Sequence, residues 1–114
     1  MTPFVLIIAA LLPAQALAQT YHCAGSDPDW QLEIESDHDK ARFHFPAVTE
    51  MDVMLTTQAE GLDWPRAFTL VGDRDTAIAL LELESCQDQP YRAHVMTQRG
   101  QTPILLGGCC QDIE

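Results

Sequence analysis

From Trp30 onward the chain alternates. In Trp30-Gln31-Leu32-Glu33-Ile34-Glu35 every second side chain is apolar and the ones between are polar. Successive side chains of an extended backbone point to opposite faces, so a period of two marks a strand with one buried and one wet face. The pattern returns in Ala41-Arg42-Phe43-His44-Phe45, with Phe43 and Phe45 inward and Pro46 as a stop. It returns again in Val48 to Thr57, with Met51, Val53 and Leu55 inward, then in Arg66 to Val71 and in Tyr91 to Thr97. Thr76 to Glu84 is the most apolar stretch after residue 18, and its pattern slips near Leu80-Leu81, which points either to a β-bulge there or to a helical segment in place of a strand.

Short polar clusters separate these runs. They are Ala24 to Asp29, Ser36 to Lys40, Gly72-Asp73-Arg74-Asp75, Gln87 to Pro90 and Arg99-Gly100-Gln101, with a longer connection from Gln58 to Pro65. A first strand, Thr20 to Cys23, and a last one, Thr102 to Gly107, complete a set of about eight strands at spacings near ten residues. No stretch after residue 18 sustains a period of 3.6. The expectation is an all-β fold: a small antiparallel meander, closed or nearly closed as a barrel and stapled by disulfides. Closure removes the sheet edges that so small a sheet otherwise exposes.

Residues 1–18 contain an apolar run of about ten residues followed by Ala16-Leu17-Ala18, the A-x-A pattern of a signal-peptide cleavage site. The run is short for a membrane span and meets polar sequence at once. The only positive charge before it is the α-amino group. Cleavage after Ala18 leaves residues 19–114, a length that means a single domain, released to the periplasm or secreted and without a stable membrane anchor. Thr20-Tyr21-His22 before Cys23 lacks the small residues of a lipid-anchor site.

An exported chain can keep disulfides, and this one has four cysteines: Cys23, Cys86, Cys109 and Cys110. Adjacent Cα atoms lie about 3.8 Å apart, below the usual disulfide span, so Cys109 and Cys110 are expected to bond to distant partners. Neighbours on a strand face opposite ways, which places one bridge within the sheet's inner side and the other outside. Two connectivities follow, Cys23–Cys110 with Cys86–Cys109 or the swap. The first is favoured, because Cys23 on the first strand neighbours the pair on the last if the barrel closes.

The chain holds 17 acidic against 6 basic residues, a formal charge of −11. One lysine, Lys40, and five arginines cannot build the basic cluster that nucleic acid requires. A cationic partner suits this charge. His22, His38, His44 and His94 lack paired metal-ligand spacing, so the expectation is no metal and no cofactor, with metal handling as a third possible class. The turn carboxylates Asp27/Asp29, Asp37/Asp39 and Asp73/Asp75 suit local capping of backbone N–H groups. Ser26, Ser36 and Ser85 lie outside any nucleophile elbow and the thiols are expected to be oxidised, so no catalytic residue is assigned and the chain is read as a non-enzyme. Two tryptophans could stack a ligand. Trp30 is in phase with the core residues Leu32 and Ile34, whereas Trp64, before Pro65 in a loop, suits a surface role. The residues proposed for binding are therefore Asp27, Pro28, Asp29, Trp30 and Trp64.

Gly25-Ser26-Asp27-Pro28-Asp29-Trp30, followed by an alternating strand, resembles the Gly-x-Glu-Pro-Phe-Trp signature of a family of uncharacterised small bacterial envelope proteins and lipoproteins. Cys86-Gln87-Asp88 and Gly108-Cys109-Cys110 are similar to that family's C-x-D segment and terminal Gly-Cys element, while Asp27 stands for its Glu and Asp29 for its Phe. The resemblance implies a small envelope β domain and no known activity. In size, acidity and terminal bridge the chain also looks like the β-barrel inhibitors of c-type lysozyme in Gram-negative periplasms. Together these readings lead to an exported binding or interaction domain that meets a basic envelope protein or a small ligand. An inhibitor of a cationic cell-wall hydrolase is the next reading.

Overall fold

The alternating runs fold as eight strands in simple up-and-down order. They are β1 (Thr20–Gly25), β2 (Trp30–Glu35), β3 (Lys40–His44), β4 (Val48–Gln58), β5 (Arg66–Gly72), β6 (Asp75–Cys86), β7 (Gln89–Arg99) and β8 (Thr102–Ile113). The computed structural model describes residues 19–99 and 102–113. The signal-peptide expectation for residues 1–18 lies outside them. Each strand pairs antiparallel with the next, and β1 pairs with β8, so the sheet closes into a barrel.

The inner face is what the period of two dictates. Trp30, Leu32 and Ile34 of β2, Ala41 and Phe43 of β3, Met51 and Val53 of β4, Phe68 and Leu70 of β5, and Tyr91, Ala93 and Val95 of β7 are all buried. Together with Tyr21, Leu81 and Leu106 they form one cluster that fills the barrel. Small strand numbers leave an interior just wide enough for side chains, and this barrel uses that space for packing.

Four expectations need correction. The bulge is in β4, between Val53 and Leu55, and β6 runs past Leu80-Leu81 in unbroken register with β5. The bulge shifts the phase of β4, so Leu55 points outward and is 63 % exposed instead of joining the core. Phe45 lies past the end of β3 and is only partly buried, packed against the rim of the cluster. The last strand does not stop at Gly107 but continues through both cysteines to Ile113, because β1 pairs with its final residues from Cys109 onward.

The disulfides join Cys23 to Cys110 and Cys86 to Cys109, and all four cysteines are used. Such bonds persist in an oxidising compartment. Cys23 and Cys110 are directly opposite on β1 and β8 and wholly buried, so this bridge lies on the inner side of the closing seam. Cys109 faces outward. The end of β6 departs from regular pairing between Leu83 and Cys86, and this irregularity carries Cys86 over the outside of β8 to meet it. Gln87 and Asp88 close the β6–β7 hairpin with φ of 50° and 68°, the left-handed pair of a two-residue turn matched to strand twist.

Loop closure makes the two bridges unequal. The first closes a separation of 87 residues and the second one of 23, worth roughly 4.5 and 3.5 kcal/mol in lost chain entropy. Replacing Cys23 and Cys110 together with Ala is therefore expected to destabilise the fold more than replacing Cys86 and Cys109, by about 1 kcal/mol or more. Urea unfolding of the two double variants checks the order, and equal midpoints would contradict it.

Candidate functional site

In an up-and-down barrel successive turns alternate between the two ends. The Asp27-Pro28-Asp29 turn after β1 shares one end with the segment after β3 and the β5–β6 hairpin. The Gln58–Pro65 connection after β4 is at the other end, with the turn after β2 and the β6–β7 hairpin. Asp27, Pro28 and Asp29 are thus far from Trp64 along the barrel axis, and the five proposed binding residues do not form one site.

Asp27, Pro28 and Asp29 are exposed, as a contact turn requires. Trp30 beside them is not presented to solvent: it is 2 % exposed, and its Nε1 donates to the backbone oxygen of Gly107 at 3.1 Å. The indole occupies room that two glycines leave. A Cβ on Gly108 would sit 2.8 Å from Cζ2 of Trp30, and one on Gly25 would sit 2.9 Å from its Cε2. Trp30 closes its end of the barrel and ties β2 across to β8.

Trp64 lies in an aromatic cluster at the opposite end. Its ring stacks on Tyr91 at 4.9 Å with 27° between planes, and the Arg66 guanidinium stands 4.2 Å from its centroid. Tyr91 in turn meets Tyr21 edge-on at 5.5 Å. These contacts seal that end and hold Trp64 half-buried, with its ring already engaged. The hydroxyl of Tyr91 donates to Asp112 at 3.2 Å. Burial, followed by the nearby Asp112 carboxylate, pushes the Tyr91 phenol up to about 12. Burial also raises Tyr21.

The outer surface divides by charge. On β2–β4 the outward positions include Glu33, Glu35, Glu50 and Asp52. Each cation among them is flanked by two of these acids across the strands: Arg42 by Glu33 and Glu50, Lys40 by Glu35 and Asp52. Lys40 reaches Asp52 at 2.6 Å and Arg42 reaches Glu50 at 2.8 Å. The hydrogen bond to Asp52 raises the Lys40 ammonium above its usual range. On β5–β8 the outward positions toward the β5–β6 hairpin end carry no carboxylate, while Glu82 and Glu84 stand outward farther along β6. The carboxylate-free positions are Thr69 and Val71, then Thr76, Ile78 and Leu80, then His94, Met96 and Gln98, then Pro103, Leu105 and Gly107. Ile78, Met96 and Leu105 stand side by side across three strands.

Sequence reasoning missed this uncharged face. Its signal was present in Ala77 to Leu81, which is apolar in both phases. That double phase is not a slipped register: Ala77, Ala79 and Leu81 point inward while Ile78 and Leu80 point outward. The histidines remain dispersed. His22 lies 3.7 Å from Glu33, His38 3.5 Å from Asp37 and His94 3.6 Å from Glu82. Among the described residues no group of three or more His, Cys, Asp or Glu is placed to hold a metal ion. Compared with known proteins, the chain matches no family model, and neither a curated protein nor a solved structure matches it.

Tyr21 and Tyr91 are the chain's only tyrosines, so phenolate absorbance reads this end of the barrel alone. In the folded protein the absorbance is expected to stay flat past pH 10 and to rise toward pH 12, against a midpoint near 10 in urea. The folded state holds these protons more tightly than the unfolded one, so stability is full below about pH 10 and declines as pH climbs toward 12. Asp112→Asn should lower the folded midpoint, and titration near 10 in the folded wild type would contradict the assignment.

Proposed function

We propose that the protein is an exported, non-catalytic binding domain whose partner meets the outer surface of the barrel, and that the partner is a basic protein of the cell envelope. The observation that carries this reading is the filled interior. Tyr21, Phe43, Phe68, Leu70, Leu81 and Val95 occupy the space that a ligand-carrying barrel keeps open. Recognition therefore falls to the outside, where acidic groups line β2–β4 and the exposed turns.

The formal charge of −11 favours encounter with a cation, because complementary fields raise association rates and fix orientation. The disulfides suit an oxidising compartment, and the resemblance to small envelope proteins points the same way. With every cysteine in a disulfide, the chain's strongest latent nucleophile is unavailable for catalysis. Inhibition of a cationic cell-wall hydrolase is the specific form of this function that the acidity and the stapled barrel support.

Calorimetric titration with a c-type lysozyme, alongside its lytic activity, tests both levels. The expected result is a complex that weakens about tenfold as ionic strength rises from about 0.02 to about 0.15 M. The variant Glu33→Gln/Glu35→Gln/Glu50→Gln should weaken it further. A complex without inhibition would leave a binding protein that is not an inhibitor. The absence of any salt-sensitive complex would sink the cationic-partner reading.

A further inference from the structure

β3 is shorter than the strand it pairs with. It accompanies β4 from Val48 to Asp52. One further bond, from the N–H of Val53 to the oxygen of Asp39 at 2.9 Å, ends the contact at the β2–β3 turn. β4 runs on to Gln58, held on its other side by β5. From Met54 to Gln58 it is therefore an edge, and among the described residues no strand pairs with it on the β3 side. The edge is also uncovered. Met54 and Leu55 are 59 % and 63 % exposed, and Thr56, Thr57 and Gln58 are exposed with them.

The hydrogen-bond phase of the β4–β5 hairpin fixes which groups this edge presents. The N–H of Ala59 donates to the oxygen of Pro65 at 3.0 Å, so these two residues are a hydrogen-bonded pair. Such pairs alternate along an antiparallel ladder. Thr57 with Ala67 and Leu55 with Thr69 therefore bond to each other, while Thr56 and Gln58 turn their N–H and C=O away from β5. Val53, before the bulge, turns the same way, since its N–H reaches Asp39. The main-chain donors and acceptors of Thr56 and Gln58 thus stand open on the vacant side, beyond the β2–β3 turn.

We propose that this edge takes up an extended segment of the partner as an added antiparallel strand, in line with β3, and that the segment carries a basic residue near each end. This rests on the cationic-partner reading above and gives that partner a place to bind. Main-chain pairing supplies the affinity, and the flanking charges select the sequence. Met54 to Gln58 carries no charge, but acids stand at both of its ends. Asp37 and Asp39 are in the turn beside Val53, Glu60 and Asp63 are in the connection after Gln58, and all four are exposed. At about 3.4 Å per residue the two acidic groups are roughly 20 Å apart along the strand, the span of about six residues. The nearby cations are already engaged: Lys40 with Asp52, Arg66 over the Trp64 ring and His38 with Asp37. A second copy paired antiparallel on this edge would set these acids against each other, so charge favours a basic segment over self-association.

The capped peptide Lys-Thr-Val-Thr-Val-Thr-Lys, titrated into the isotope-labelled, oxidised protein and followed by amide NMR, tests the pairing. The signals of Thr56 and Gln58 should shift and their hydrogen exchange should slow, with affinity falling about tenfold as salt rises from about 0.02 to about 0.15 M. The same peptide with Glu at both ends should bind about tenfold more weakly or worse. A peptide with every Thr and Val nitrogen methylated keeps its charge but loses its donors, and should weaken as much. Thr56→Pro removes an N–H that faces the vacant side, and should abolish the peptide shifts without changing the circular dichroism spectrum. The methylated peptide keeps the test decisive if that variant does not fold. Equal binding by the Glu-ended or the methylated peptide overturns the proposal. So do the absence of any shift at about 1 mM Lys-ended peptide, and shifts that leave Thr56 and Gln58 untouched. Protection of those two amides that rises with protein concentration alone would assign the edge to a second copy and overturn it as well. A salt-sensitive lysozyme complex alongside any of these results leaves the cationic partner standing and removes only the strand edge.

Discussion

Closure of β1 onto β8 is the constraint on which the other features depend. A meander of this size has two edge strands, and pairing the first with the last satisfies both over part of their length. The Cys23–Cys110 bridge sits inside that seam, fully buried, so the covalent bond and the ladder reinforce the same contact. Trp30 extends the closure where the ladder ends, reaching from β2 past β1 to the Gly107 oxygen. Without Gly25 and Gly108 the indole would have no room, which ties the turn composition at one end of the barrel to the packing beneath it.

A filled barrel has only its surface to work with, and this surface is uneven. β2–β4 present acids whose cations are flanked on both sides, while the half of β5–β8 toward the β5–β6 hairpin presents threonines and aliphatic side chains. The division has a local origin. β6 has small alanines inward and large Ile78 and Leu80 outward, an inversion of the usual size order. The inward alanines leave space for Phe68 and Tyr21, which meet at 5.7 Å. Packing inside and apolarity outside are thus two consequences of one strand's sequence.

The architecture was legible because alternation needs only local geometry. Trp30, Leu32, Ile34, Phe43 and Val95 could be assigned inward from spacing alone, and the favoured disulfide pairing followed once first and last strands were taken as neighbours. Leu55 was misplaced because a single-residue bulge inverts every side chain beyond it and leaves no mark on composition. The proposed binding set mixed a buried residue, Trp30, with an exposed turn and with a tryptophan at the opposite end. Residue type alone does not distinguish an indole that packs from one that recognises.

By itself the sequence determined the strand count, the inward face of most strands, the acidity and the need for two long-range bridges, since each depends on side chains a few residues apart or on simple inventory. Only the tertiary structure decided which ends the turns occupy and that Leu80 faces outward while Leu81 is core. It also decided that β8 runs on through the cysteines, and that β1 pairs only with its later part, Cys109 to Ile113. Those features depend on register between strands distant in the chain. Register is set by the summed packing of a closed barrel, and no local pattern encodes it.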